Sequence, residues 1–115
     1  MNGRYLFGLP FVTIKICDEE VEFLVDTGFN GSLLMPIEKI KNLDLQPIAV
    51  AKYALADGTV TESDIFEAKI DWFGKKNVAV VSSPSDFYLL SMELLRNVKT
   101  ILEPEKKKLT IEKQK

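Results

Sequence analysis

The sequence predicts a mainly β protein, built from closely spaced short strands with one or two short helices. Three observations carry that reading. Apolar residues recur with a period of two rather than 3.6. Turn-forming residues punctuate the chain at short intervals. Only two short stretches have an apolar face suited to a helix. A chain of 115 residues fits one domain, residues 1–115, with a real but modest core.

The elements follow in order. Val12, Ile14 and Ile16 alternate with Thr13 and Lys15. A polar turn at Asp18, Glu19 and Glu20 separates them from Val21, Phe23 and Val25, so the pair reads as a β-hairpin whose second strand runs into Asp26. Pro36 can open a short helix, because its missing N–H costs nothing at the first helical position. Ile37, Ile40 and Leu43 would give that helix its apolar face. A second hairpin is expected around Ala56-Asp57-Gly58-Thr59, since Asp-Gly suits a two-residue type I′ turn. Tyr53 and Leu55 lie on its arriving strand. Its departing strand is polar at Thr61, Glu62, Ser63 and Asp64, then alternates, with Phe66, Ala68, Ile70 and Trp72 on one face. The base of this hairpin is therefore expected to be packed and its tip solvated. Gly74-Lys75-Lys76-Asn77 makes another turn, and Val78 to Val81 a compact apolar strand. Met92 to Arg96 suits a turn or two of helix with Ser91 as its cap. Val98 to Leu102 and Leu109 to Ile111 read as a last hairpin around Glu103-Pro104-Glu105.

Composition narrows the function. Apolar residues make up 46% and charged residues 28%, a globular composition. Fifteen Lys and Arg against 17 Asp and Glu give a net charge of −2, which offers no electrostatic case for nucleic acid. The chain has no histidine, which removes Ser-His and Cys-His mechanisms and His-based zinc sites. Cys17 is the single cysteine, so no intrachain disulfide can form; it is read as a small packing residue near a strand end, in a reducing, cytoplasmic setting. No metal and no cofactor is expected. No apolar run approaches the length of a membrane span, and the N-terminus lacks a signal-peptide pattern. Lys106, Lys107 and Lys108 are expected to be a solvated hairpin turn. Asn30-Gly31-Ser32 fits the glycosylation pattern but is set aside as part of the site described next.

The informative stretch is Phe23-Leu24-Val25-Asp26-Thr27-Gly28-Phe29-Asn30-Gly31-Ser32-Leu33-Leu34. An apolar strand delivers an acid into a turn that contains two glycines. Burying a charge is costly unless it is paired or protonated, so an acid at the end of a buried strand calls for a reason. Gly28 permits a tight turn and the close approach of a neighbour. For an isolated Asp-Thr-Gly, a simple Asx-type turn between strands would be explanation enough.

The triplet is not isolated. The stretch resembles the first signature of the retropepsin-like aspartic proteases, the single-domain clan AA family. That signature is an apolar strand, Asp-Thr-Gly, a small or apolar residue, and a Ser or Thr shortly after. The family's second signature has two apolar residues, a glycine, two variable residues and a Leu pair that begins a short helix. Leu89-Leu90-Ser91-Met92-Glu93-Leu94-Leu95 matches it about sixty residues later, with Ser91 where glycine is usual. Between the two, the Asp57-Gly58 hairpin stands where the family has its flap. The resemblance spans roughly Phe11 to Ile111.

The resemblance implies a retropepsin-like closed β-barrel or sandwich lobe with a flap hairpin. It implies a homodimeric aspartic endopeptidase with Asp26 catalytic, one copy from each protomer. Two Asp26 carboxylates would share a proton and hold a water between them. One would act as general base on that water and the other would protonate the scissile carbonyl. Thr27 would lock the two turns together across the axis. Gly28, Phe29, Asn30, Asp57 and Gly58 would contact a peptide or protein substrate. Leu89, Leu90 and Ser91 would pack the second motif against the catalytic turn. A serine there adds a side chain that either pushes the turn or hydrogen-bonds within it. The alternative is a dimer of the same fold that binds peptides or proteins without cutting them. No nucleic acid or membrane partner is expected.

Overall fold

The computed structural model describes residues 1–54, 56–83 and 86–114. Ten strands and two short helices follow one another: β1 Asn2–Leu6, β2 Leu9–Ile16, β3 Glu19–Asp26, β4 Leu33–Pro36, α1 Ile37–Asn42, β5 Gln46–Ala54, β6 Val60–Trp72, β7 Lys75–Ser83, β8 Leu89–Ser91, α2 Met92–Leu95, β9 Val98–Glu103 and β10 Lys108–Lys113. The mainly β class is what the period-two patterning predicts. The alternation sorts the side chains as expected: Val12, Ile14 and Ile16 of β2, Val21, Phe23 and Val25 of β3, and Phe66, Ala68, Ile70 and Trp72 of β6 are all buried. They join Leu33, Met35, Val78, Val80, Leu90, Leu109 and Ile111 in one core.

The strands form a single sheet in the order β5-β6-β7-β4-β8-β3-β2-β1-β10-β9. Closure is the part of the expectation that fails. Among the described residues the sheet is open, because its end strands β5 and β9 do not pair with each other. The sheet instead doubles over itself, and Ile16 of β2 meets Ile70 of β6. The fold-over joins an interior strand to β6 and leaves both ends free, so a covered core forms without a closed barrel.

Tight hairpins make the doubling possible. Three of them turn on two residues of positive φ: Phe7-Gly8 (51° and 77°), Cys17-Asp18 (50° and 66°) and Phe73-Gly74 (47° and 85°). Two left-handed residues in succession match the twist of the flanking strands. This corrects the reading of Cys17 and of the first turn. Cys17 is exposed, sits inside the turn, and donates its backbone N–H to Lys69 O at 2.9 Å; the turn is Cys17-Asp18 and Glu19-Glu20 already belong to β3. In the same way Phe73-Gly74 turns the chain, and Lys75 to Asn77 begin β7. The strand β1 was not anticipated. Gly3 explains why the local pattern hides it, since a Cβ there would overlap the Phe11 carbonyl oxygen and stand 2.5 Å from Leu109 Cδ2. Glycine is thus present for close strand packing and contributes no apolar side chain to the alternation.

α1 begins directly after Pro36, and Ile40 is its buried residue while Ile37 is exposed. The flap-like hairpin is β5–β6, paired from Gln46↔Glu67 up to Ala54↔Val60. Its connection includes residues 56–59, longer than the two-residue turn expected; Leu55 lies outside the described residues. Within it Asp57 accepts the Thr59 N–H at 3.0 Å and the Thr59 hydroxyl at 2.7 Å, and Gly58 has φ +87°. An Asx-type turn therefore forms in place of type I′. The β9–β10 hairpin turns over Pro104 to Lys107, with Lys107 N–H donating to Pro104 O at 3.1 Å. Lys106 and Lys108 are exposed, as expected of a solvated turn. Among the described residues no helix is long and apolar enough to cross a membrane.

Candidate active site

β3 carries Asp26 as its last residue. Val21, Phe23 and Val25 anchor the strand in the core, which fixes the backbone up to the acid. Asp26 is half-buried, and Thr27, Gly28 and Asn30 are exposed. The turn closes on its own carboxylate, because Gly28 N–H donates to Asp26 Oδ1 at 2.8 Å. A Cβ on Gly28 would stand 3.2 Å from that same oxygen, so glycine leaves room for the bond. Gly31 matters for a similar reason: a Cβ there would come within 2.5 Å of the Phe29 ring.

The two sequence motifs meet at this turn. β8 lies parallel to β3, with Leu24 opposite Leu89, Val25 opposite Leu90 and Asp26 opposite Ser91. On its other side β8 runs antiparallel to β4, pairing Leu33 with Leu90 and Leu34 with Leu89. Backbone bonds then lace the loop after Asp26 to the start of α2. Ser91 N–H donates to Ser32 O (3.0 Å), Met92 N–H to Phe29 O (3.3 Å) and Glu93 N–H to Gly31 O (3.0 Å). Leu24 N–H donates to Tyr88 O at 2.9 Å, and the Tyr88 ring meets Phe23 edge-on at 6.0 Å. A loop held by this many main-chain bonds is preorganised.

Ser91 departs from its expected role. It occupies the N-cap position of α2, but its side chain makes no capping bond. The residue is wholly buried, and its Oγ has no hydrogen-bond partner. The extended backbone at Ser91 (φ −133°, ψ −170°) and the engagement of residues 91–93 with the Phe29–Ser32 carbonyls account for this. The helix start is tied down by main chain, and the hydroxyl is left over.

Asp26, Thr27, Gly28, Phe29 and Asn30 are thus brought together with Leu89, Leu90 and Ser91. Asp57 and Gly58 are not part of that cluster. They stand at the exposed tip of β5–β6, where the Thr59 hydroxyl and then its N–H hold the Asp57 carboxyl below its ordinary range. Sequence reasoning passed over Gly31, Ser32 and Tyr88 as site residues. Ser32 had a visible signal, being the hydroxyl residue that follows the triplet in the first signature. Tyr88 had none, since its contribution is a backbone carbonyl. A groove of about 460 Å³ lies elsewhere, between Arg4, Phe11, Thr13 and Glu22.

No protein-family model matches the sequence, and no curated protein matches it. Solved structures do. A retropepsin-like aspartic protease from Rickettsia conorii superposes with a TM-score of 0.71 at 21% identity, over 96% of this chain and 88% of that one. The chain has the retropepsin-like fold. A foamy viral protease-reverse transcriptase in complex with an RNA/DNA hybrid matches with a TM-score of 0.56 at 21% identity, over 84% of this chain and 13% of that one. The chain therefore corresponds to a small part of that viral protein. In the retropepsin-like fold of this chain, the Asp-Thr-Gly turn and the Leu-Leu-Ser strand are adjacent, sixty-odd residues apart in sequence and paired in space.

Proposed function

We propose that this chain, folded as one domain, is the protomer of a homodimeric aspartic endopeptidase. One observation carries the reading. An Asp-Thr-Gly turn at the end of a buried strand is braced from behind by the second motif and exposed in front. A carboxylate half-buried in a single chain, with its neighbours bare, suits a surface that a second copy covers. One chain offers one such acid, and the chemistry calls for two.

Each protomer would supply Asp26. The paired carboxylates would share one proton, since two like charges a few Å apart cannot both ionise freely. The ionised member would take a proton from the water held between them as that water attacks the scissile carbon. The protonated member would give its proton to the carbonyl oxygen, forming a neutral gem-diol. The carboxyl that took the water's proton would then pass it to the amide nitrogen while the other carboxylate takes back a hydroxyl proton, and the adduct would collapse to a carboxylic acid and a free amine. Gly28 N–H on Oδ1 keeps the carboxylate plane fixed during this exchange. Thr27, exposed beside the acid, would join the two turns. Phe29 and Asn30 would border the peptide, and the β5–β6 hairpin with Asp57-Gly58 at its tip would close over it and exclude water. A cytoplasmic location fits the lone, exposed Cys17.

The rival reading, a dimer that binds peptides without cutting them, has one observation in its favour: serine stands where the second signature has glycine. Digestion of a peptide library from mildly acidic to neutral pH, run beside Asp26→Asn, decides between the two. Cleavage by the wild type and none by the variant supports the protease. Equal peptide binding by both with no cleavage by either supports the binder.

A further inference from the structure

Ser91 carries a hydroxyl that the fold does not use. The residue is wholly buried and its Oγ is unpartnered. An unmade hydrogen bond in the interior is costly, and native proteins seldom keep one without a use. The usual task of a serine before a helix is to cap it, and Ser91 makes no such bond. Its backbone N–H is spent on Ser32 O. Alanine would fill nearly the same space, so packing does not account for the oxygen.

The strand register identifies the neighbour. Val25 and Leu90 are opposed across β3 and β8, and both point into the core. Side chains alternate along a strand, so the next opposed pair, Asp26 and Ser91, shares the other face. Asp26 Oδ1 already accepts from Gly28 N–H. Among the described residues no donor reaches Oδ2. An unused buried donor and an unused carboxylate oxygen therefore lie on one face of two paired strands.

We propose that Ser91 is a positioning residue for Asp26, its hydroxyl turning about χ1 to donate to Oδ2 in the assembled enzyme. The proposal rests on Asp26 being the reacting acid. The rotation exchanges one staggered rotamer for another and leaves the backbone unchanged. A donor of this kind favours the charged carboxylate and, together with Gly28 N–H, holds both oxygens in place. Few other charges bear on the group. On the same faces of β3 and β2 stand Glu20, Glu22 and Lys15, with Arg4 of β1 bonded to Glu22. The described residues of β8, β4 and the Phe29–Ser32 loop carry none. α2 carries Glu93, paired with Arg96. In the dimer the remaining charge would be the second Asp26.

The test uses the full chain and two variants, Ser91→Ala and Ser91→Gly. Three quantities are measured: the 13C titration of the Asp26 carboxyl by NMR, the pH profile of kcat/KM on a cleaved library peptide, and thermal stability. Thermal stability serves as the folding control: both variants are expected to fold, with Ser91→Gly melting below Ser91→Ala because glycine adds backbone freedom to the unfolded chain. Loss of the donor should move the acidic limb of kcat/KM and the NMR titration upward together in both variants. The loss should fall on kcat more than on KM. A midpoint unmoved in both variants overturns the proposal. So does a Ser91→Gly enzyme faster than wild type with an unchanged acidic limb, which would mean that serine merely crowds the turn. If only one variant folds, that one carries the comparison; if neither folds, the hydroxyl is structural and the proposal is wrong. The NMR titration does not depend on cleavage. A wild type that cuts nothing refutes the proposed function, while the Asp26 midpoint still decides the role of Ser91.

Discussion

Asp26 shows how little of a residue's chemistry is its own. Its side chain is fixed by a glycine two positions on, whose N–H it accepts at 2.8 Å, and by the register that sets it opposite Ser91. Asp26→Asn keeps the shape and removes the proton exchange. Peptide cleavage should fall by at least about 10²–10⁴-fold, the usual worth of general acid–base help, while circular dichroism stays that of the wild type; a variant that cleaves at the wild-type rate would refute the assignment. Gly28→Ala is milder in space and aimed at the same atom. Its Cβ would press on Asp26 Oδ1 from 3.2 Å, so activity should drop with little change in melting temperature. Arg4 and Glu22 supply a contrast away from the site. Arg4 Nε and Nη2 hold the Glu22 carboxylate at 2.6 and 2.8 Å, and that hydrogen bond lowers the Glu22 titration below its ordinary 4.5. A lowered carboxylate adds stability above the unfolded value and loses it as pH falls through the folded one. Arg4→Gln should therefore melt slightly earlier than wild type at neutral pH. Melting curves of the two should converge in strongly acidic buffer and at high salt, as for any exposed pair.

At the scale of elements, the hairpins divide into packed and exposed kinds. β2–β3 buries three side chains from each strand and closes on Cys17-Asp18, two non-glycine residues with φ of 50° and 66°. Left-handed backbone costs such residues roughly 1–2 kcal/mol. Asp18→Gly should relieve part of that and raise the melting temperature, whereas a lower one would show that the Asp18 side chain has a role in the turn. β5–β6 is different. From Ala56 to Asp64 its residues are exposed or half-buried, and among the described residues Asp57 is bonded within the tip, to Thr59. Hydrogen exchange should be fast from Asp57 to Glu62 and slow from Val21 to Val25, since open segments with few packed contacts exchange first. Comparable protection in the two would argue against a moving flap.

The described residues pack around one core. Phe23 is wholly buried and meets the Tyr88 ring edge-on, on the strand that ends at Asp26. Phe23→Ala should cost about 3–5 kcal/mol, a large share of the ~5–15 kcal/mol that holds a typical domain folded. Chemical denaturation would measure it, and a loss under 1 kcal/mol would mean that the core reorganises around the gap. Assembly belongs to this scale too. Sedimentation at micromolar concentration should find a two-fold dimer, and its stability should survive or rise in Asp26→Asn, where two close carboxylates no longer repel. An active species that sediments as a monomer at every concentration would contradict the shared-acid mechanism.

By itself the sequence determined what depends on neighbours along the chain. Period-two alternation fixed which faces of β2, β3 and β6 are buried, because a strand's side chains alternate whatever it pairs with. The Asp26-Thr27-Gly28 triplet, its apolar approach and the later Leu-Leu-Ser run were legible for the same reason. What it could not fix depended on partners distant in sequence. β1 was hidden because Gly3 is chosen for contact with Phe11 and Leu109. Cys17 looked like a packing residue until β6 drew its N–H to Lys69 O. The sheet's failure to close is a matter of which strand meets which, and the alternation of each is equally satisfied by an open or a closed arrangement. Ser91 is the sharpest case. In sequence it is a helix cap; only the parallel pairing of β8 with β3 buries its hydroxyl, leaves it unbonded and sets it opposite Asp26, because a side chain's surroundings are settled by register and not by the residues on either side of it.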